Sequence, residues 1–291
     1  MRTCHHSTIR SHYGQSQIID KIKHGLSSLN IDTPTTNDLA AVDEFHVGGL
    51  AATSALLEQI DISPADLVLD VGCGIGGAAR YVSTKYGANV IGVDLTHEYI
   101  EAGMVLNAMC GLSAGQVALK VGSGTELGET LGIDSNKFDK AFLLHVGMNI
   151  ADKERLFLEI AAQLKTGGKL AIYDIVRVGN NAAEQLDYPV PWASNAEMDY
   201  ASSDHVYRAA ATTAGLELIA EHNCYDRSMA FFESFQKKAA AERASTTSTQ
   251  EPPPLGLHIL MGNDFPVKMR NMSLNIKKKR MTPFEFIFEK T

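Results

Sequence analysis

The chain has 291 residues, room for one large domain or one domain with additions at roughly 100–200 residues per domain. Hydrophobic residues make up 45%, enough for a substantial core, and the net charge of -8 excludes a broad attractive field for nucleic acid or an anionic membrane, so a small-molecule partner is expected. Cys4, Cys73, Cys110 and Cys224 form no CxxC pair, the histidines show no metal-ligand spacing, and no apolar run approaches the ~18 residues of a membrane span, so we expect no metal, no stable membrane association and a reduced, cytoplasmic setting.

The N-terminus carries Arg2 and Arg10 with no acid before Asp20, the pattern of a short organellar presequence or, the favoured reading, of a frayed cytosolic terminus. Ile18, Ile19, Ile22, Leu26 and Leu29 recur at helical spacing and predict an amphipathic helix. Residues 33–38, with Pro34, read as a turn-rich connection, and 50–60 as a second helix. Apolar runs at 67–71, 90–93, 117–121, 138–144 and 169–175 then alternate with helical segments at 78–86, 98–109 and 153–164. Strands separated by helices of this length predict a parallel sheet with helices on both faces, its strands buried on both sides. Beyond 180 the pattern loosens: a proline-containing loop at 188–192, a helix at 203–214, a strand at 216–222 and a helix at 228–243. A surface linker near 244–254, a last helix at 267–279 and an aromatic strand at 284–288 complete the chain. The basic run at 277–280 reads as a solvated helix end rather than a nucleic-acid contact.

The most informative segment is Asp70-Val71-Gly72-Cys73-Gly74-Ile75-Gly76-Gly77, between a strand and a helix. Glycines there let the backbone turn sharply and approach a ligand, and Asp94, ending the next strand, is spaced to hold a ribose hydroxyl pair. Gly72, Gly74 and Gly77 also satisfy GxGxxG, so a dinucleotide and nicotinamide chemistry must be weighed. Asp70 favours another ligand. Its carboxylate repels a pyrophosphate and attracts the ammonium and sulfonium of S-adenosylmethionine (SAM), although capping of the loop backbone is its plainer role.

LVLDVGCGIGGAARYV followed by VIGVDLT resembles the class I SAM-dependent methyltransferases. DEFHVGG (43–49), HVGMNIADK (145–153), LKTGGKLAIYDIV (164–176) and YPVPWA (188–193) resemble the sarcosine/dimethylglycine N-methyltransferase-like group, as do His12-Tyr13-Gly14 and the PLGLH segment at 254–258. The resemblance spans almost the whole chain. It implies a Rossmann-like α/β fold: a seven-stranded, mostly parallel sheet with helices on both faces, an N-terminal helical lid (1–49), a SAM-binding core (50–180) and a C-terminal helical addition (181–291). It further implies SAM as cofactor, S-adenosylhomocysteine as product, and Asp70, Gly72, Cys73, Gly74, Gly76, Asp94, Leu95, Gly122, Ser123 and His145 around the cofactor. Such enzymes place an acid after the third strand against the adenine amino group. Here Ser123 stands there, a weaker neutral acceptor.

His145 ends the fourth strand and is the candidate catalytic residue, as orienter or base, against a capping or packing role. Tyr13, Met148, Asn149 and Trp192 are the candidate acceptor pocket. Among the aromatic residues of these segments (Tyr13, Phe45, Tyr188, Trp192, Tyr200), lid packing is the plainer role for any one and a quaternary-ammonium contact the sharper. The acceptor suggested by resemblance is a small amine such as sarcosine or dimethylglycine. A quinone, phenol or other carbon or oxygen acceptor is the alternative, and a catalytically degenerate SAM-binding protein the rival from another class. A monomer or a homodimer fits.

Overall fold

The structure is a computed structural model and describes residues 17–132, 136–178, 185–245, 253–262 and 264–291, with side chains of 238–245 excepted. Seven strands form one sheet in the order β3-β2-β1-β4-β5-β7-β6. They are β1 (Leu67–Val71), β2 (Asn89–Asp94), β3 (Val117–Val121), β4 (Phe138–Leu144), β5 (Leu164–Arg177), β6 (Leu216–Asn223) and β7 (Met281–Lys290). Strands β1 to β5 pair in parallel, and β7 runs antiparallel between β5 and β6.

The helices, in chain order, are α1 (Ile18–Ser28), α2 (Thr36–Asp43), α3 (Gly49–Leu57), α4 (Gly77–Tyr86), α5 (His97–Met109), α6 (Leu127–Leu131), α7 (Lys153–Gln163), α8 (Asp204–Thr213), α9 (Tyr225–Ser245), α10 (His258–Met261) and α11 (Phe265–Lys277). Side chains alternate across a strand, and the sequence follows that rule. Leu69, Val71 and Val93 point to the face covered by α6, α7 and α8, where Phe157, Ile160 and Tyr207 are buried. Val68, Val90 and Phe142 point to the opposite face, against Leu56, Val82 and Ile100 of α3, α4 and α5.

Two further clusters lie beyond the strand ends. Ile18, Ile22 and Leu26 of α1 meet Leu39 and Val42 of α2, Ile75 of the glycine loop, and Leu255, Ile259 and Leu260. The approach of α1 to the segment before α10 is so close that a Cβ on Gly25 would lie 2.2 Å from the Pro254 carbonyl oxygen. Trp192, Val190, Met272, Ile276 and Met281 pack with Val47 and Met148 in the other cluster.

The sequence expectation differs from the structure in several places. Residues 33–38 lead into helix α2 rather than forming a bare turn. The Thr35 side chain accepts from the Asp38 backbone N–H while Asp38 accepts from Thr35, a capping box that starts the helix despite two threonines at its entrance. The short helices α6 and α10 are additional to the expected elements, and β5 runs several residues beyond 169–175 at both ends. The expected linker begins inside α9, which reaches Ser245, and most of its remainder lies outside the described residues.

Arg80 of α4 is completely buried. Its guanidinium donates to the Ile75 carbonyl (2.8 Å), the Asn107 amide oxygen (2.9 Å) and the Asp43 carboxylate (2.5 Å). One side chain thus ties the glycine loop, α5 and the end of α2. Burial holds the Asp43 pKa up at about 6 against the opposing pull of Arg80. Arg80→Met strands that carboxylate, and breaking a buried pair costs about 3–5 kcal/mol. Urea denaturation at pH 8 should show a loss of this order. The deficit should shrink at pH 5, where Asp43 takes up a proton; an equal deficit at both pH values would contradict the pairing.

Candidate active site

The sheet order reverses between β1 and β4, and a cleft of about 1180 Å3, measured out into open solvent, lies beyond the strand ends there. Asp70, Gly72, Cys73, Gly74, Asp94, Leu95, Gly122, Ser123 and His145 all line it. Gly76 does not. It is the N-cap of α4 at φ 79, a left-handed conformation that glycine tolerates, so its part is to start the helix rather than to touch a ligand. Asn149, expected near an acceptor, lines this cleft and not the smaller space beside it. Tyr13 lies outside the described residues.

The loop is held by its own backbone and by Asp94. Gly72 and Cys73 N–H both donate to the Val93 carbonyl, at 2.7 and 3.1 Å. Asp94 accepts from Gly74 N–H through Oδ2 (2.9 Å) and from Thr96 N–H through Oδ1 (2.8 Å). Burial raises the Asp94 pKa, and these backbone donors oppose it. Ser123 accepts from Thr125 N–H at 3.2 Å and lies 2.8 Å from the Thr125 hydroxyl.

Asp70 is 2% exposed, and its Oδ2 has no hydrogen-bond partner. Burial first, then the Asp94 and Glu44 carboxylates, push its pKa well above the ordinary range, while the Ala79 backbone N–H at the start of α4 opposes them. A buried, unpartnered carboxyl oxygen is costly unless a ligand meets it. The cleft wall carries Asp43, Glu44, Asp70 and Asp94, and no lysine or arginine among the described residues. That donor set suits a cation and repels a pyrophosphate.

Asp43, Glu44, Phe45 and His46 form the near wall. Gly48 and Gly49 both have positive φ, 92 and 55, and let the chain double back into α3. Glu44 is buried and accepts from the Thr53 hydroxyl of α3 at 2.7 Å; the same hydroxyl lies 3.0 Å from His46 Nε2. Burial raises Glu44 to about 7 and lowers His46 to about 4. His145, at φ 53, donates its backbone N–H to the Tyr173 carbonyl (2.7 Å). Its ring lies 5.7 Å from that of His46 and 5.0 Å from that of Tyr173. Burial and His46 hold its pKa well below the usual imidazole value, so both rings are neutral, and His145 Nε2, like Asp70 Oδ2 and Asp43 Oδ2, is a buried atom without a partner.

The turn after His145 is fixed from behind. Asp174 accepts from Gly147 N–H (2.6 Å) and the Tyr207 hydroxyl (2.8 Å), and a Cβ on Gly147 would lie 2.3 Å from either oxygen. Lys153 donates to the Ile150 and Tyr200 carbonyls. Asp199 accepts from the Tyr188 hydroxyl and the Trp192 indole, both at 2.8 Å. Tyr188 and Trp192 are therefore tied together on the far side.

A second, far smaller space adjoins the cleft. Phe45, Met148, Trp192, Met261, Met269 and Met272 line it, and His46 and His145 belong to both spaces. Met148 and Trp192, two of the residues expected around an acceptor, line this second space. Phe45 and His46 come from the DEFHVGG segment, Phe45 among the aromatic residues singled out there, whereas the three C-terminal methionines carry no local motif for that place. Among the described residues, no group of three or more His, Cys, Asp or Glu is arranged to hold a metal.

Sheet order, the single reversed strand β7 and the glycine loop are those of a Rossmann-like methyltransferase fold. Residues 69–172 match a family model described as a methyltransferase domain. Phosphoethanolamine N-methyltransferase 1 of Arabidopsis thaliana is 36% identical over 130 residues, 45% of this chain and 25% of that protein. The match spans about a quarter to a half of the length of the curated relatives. Phosphoethanolamine N-methyltransferase 2 of Haemonchus contortus, solved with SAM, superposes with a TM-score of 0.65 at 19% identity, covering 95% of this chain and 60% of that one. A Galdieria sulphuraria structure provisionally described as a sarcosine dimethylglycine methyltransferase gives 0.61 at 20% identity, covering 83% and 85%. At these identities the structural likenesses concern the fold.

Asp94→Ala releases two loop amides at once. Hydrogen exchange should then show the backbone N–H groups of Gly74 and Thr96 losing protection while the strands of the sheet keep theirs. Unchanged exchange at both amides would remove Asp94 from its place in the loop.

Proposed function

We propose that the chain transfers a methyl group from SAM to a small-molecule acceptor and releases S-adenosylhomocysteine. The observation that carries this reading is Asp70 Oδ2, a buried carboxyl oxygen without a partner in a cleft walled by carboxylates. The residues fit the cofactor. Asp70 would take its amino group, Asp94 its ribose hydroxyls, and Leu95, Gly122 and Ser123 its adenine end. When bound, SAM supplies a methyl group activated on a sulfonium. The chain's own work is to align the acceptor, keep water out and receive any proton the acceptor gives up. His46 and His145 stand where cleft and acceptor space meet, and their neutral rings add no repulsion against a sulfonium.

The resemblance favours a small amine such as sarcosine or dimethylglycine as acceptor. A tertiary amine needs no base, since its quaternary product has no proton to lose, and Phe45 and Trp192 offer aromatic faces to a cation. The oxygen or carbon reading is favoured by a different observation, the apolar lining of the acceptor space. Ser123 keeps alive a protein that binds SAM without turning it over; a single-turnover assay with labelled SAM separates that case. No helix among the described residues is long and apolar enough to cross a membrane. We take the partner to be a small molecule, with a monomer or homodimer in a cytoplasmic setting.

Titration calorimetry tests the cofactor. SAM and S-adenosylhomocysteine should bind and NAD should not. A cation at Asp70 favours the ionised carboxyl, whose pKa the free site holds up. SAM binding should therefore release protons and tighten as pH rises through the range where Asp70 titrates. Hydrogen bonds to charged groups contribute about 1.5–3 kcal/mol, so Asp70→Asn should weaken SAM by roughly tenfold or more. NAD binding without a response to SAM would refute the assignment.

A further inference from the structure

Three polar side chains run in a row behind the near wall of the cleft. The Thr53 hydroxyl donates to Glu44 Oε2 at 2.7 Å and lies 3.0 Å from His46 Nε2, which is itself 3.5 Å from the same carboxylate oxygen. Thr53 is completely buried, and the side chains of His46 and Glu44 are 5% and 6% exposed, so a proton leaving the ring meets the hydroxyl before it meets water. A hydroxyl has one proton to give. With Glu44 ionised, Thr53 gives that proton to the carboxylate and accepts from His46, so Nε2 carries the ring proton and Nδ1 the lone pair. With Glu44 protonated the row of donors reverses, and the ring proton moves to Nδ1. The carboxyl thus sets the tautomer of a ring that borders both the cofactor cleft and the small space beside it.

We propose that Glu44, reached through Thr53, is where an acceptor's proton comes to rest when the acceptor is methylated, with His46 as the base and the other two as positioning residues behind it. The inference rests on the methyltransferase reading. His46 alone is a poor resting place: burial lowers its pKa to about 4, against a hydrogen bond with the Gly49 backbone. Burial holds Glu44 up at about 7, so the proton runs downhill from ring to carboxylate. His145 has no such path from Nε2, which lacks a partner.

The step balances. The acceptor's proton bonds to His46 Nδ1, the Nε2 proton passes to Thr53 Oγ1, and the Thr53 hydroxyl proton passes to Glu44 Oε2. The acceptor's electron pair forms the bond to the methyl carbon, and the S–CH3 pair returns to sulfur. One positive charge leaves sulfur as one negative charge leaves Glu44, so the buried site keeps its net charge. A tertiary amine has no proton to give and leaves the row unused.

The two end states are measurable without an acceptor. Titration calorimetry in two buffers of different ionisation enthalpy counts the protons released when SAM and, separately, S-adenosylhomocysteine bind the full chain at pH 7. The ligands share the amino group and differ in the sulfonium. We expect SAM to release about half a proton more, the protonated share of a carboxyl that titrates near pH 7, and the excess to vanish in Glu44→Gln. Nitrogen-15 spectra of histidine-labelled protein, assigned with His46→Ala, read the link. In the cofactor-free chain the His46 proton should move from Nδ1 to Nε2 as pH rises through about 7. Thr53→Val should abolish the switch and Thr53→Ser retain it, with S-adenosylhomocysteine affinity near the parent's in both, a contrast that packing alone does not give. The other titratable or charged groups around the row are Asp43, Arg80, Asp70, Asp94, His145 and Tyr173, so a switch that belongs to one of them survives Glu44→Gln. That survival, an equal proton count for the two ligands in the parent, or a His46 tautomer fixed across pH or indifferent to Thr53→Val would overturn the proposal. Failure of SAM to bind falls on the methyltransferase reading and takes the proposal with it, whereas binding without the excess falls on the proposal alone.

Discussion

The buried ion pair between Asp43 and Arg80 is the constraint on which the site depends. The sheet and its glycine loop make only part of the cleft. A further wall is the segment from Asp43 to His46, which belongs to no strand and has no sheet register to place it. Arg80 holds it there, reaching from the first half of α4 to Asp43 while also bonding the Ile75 carbonyl of the loop and Asn107 of α5. The contact is so close that a Cβ on Gly77 would lie 2.4 Å from that of Asp43. Gly77 is thus needed for space and not for its backbone freedom. Burying two charges is expensive, and the return here is position. Glu44, Phe45 and His46 come directly after Asp43 in the chain and so inherit its placement.

That placement sets the electrostatics. Burial acts on the titratable groups of these walls in the same sense, toward the neutral form. It raises Asp70, Asp94 and Glu44 and lowers His46 and His145. The result is a cleft of carboxyl groups poised to ionise when a cation arrives, beside imidazoles that add no charge of their own. A sulfonium cofactor bound there would meet attraction at one end and no repulsion at the other. Behind the cleft, Asp174, Tyr207 and Lys153 pin the turn after His145, so its ring is held by the backbone and by Tyr173.

How much of this is legible in the sequence depends on range. The glycine loop, Asp70 and Asp94 form a local pattern, because the loop's ligand contacts lie within one strand–turn–helix unit and the next strand. The seven strands are legible for the same reason, being short apolar runs between helices. Helix α2 is hidden because Pro34, Thr35 and Thr36 read as a turn; the spacing of Thr35 and Asp38 as a capping box is the signal that reveals it. Gly76 and Asn149 owe their expected places to nearness in sequence to a motif, and the one-residue geometry of the turns sends them elsewhere. Arg80 looks like a surface cation on a helix, and nothing local shows that Asp43, 37 residues away, covers it. The methionines at 261, 269 and 272 carry no local signal at all, since only the folding of the C-terminal helices over the strand ends brings them to Trp192 and His145.

The cofactor cleft and the apolar space meet at His46 and His145, and the whole reading of the site turns on that junction. Binding of SAM carrying a carbon-13 methyl group, followed by isotope-filtered nuclear Overhauser spectroscopy, tests it without any acceptor. We expect cross-peaks from the methyl group to the imidazole ring protons of His145 and His46, and their loss in His145→Ala and His46→Ala respectively. Cross-peaks confined to other side chains, with both imidazoles silent in a protein saturated with SAM, would contradict it.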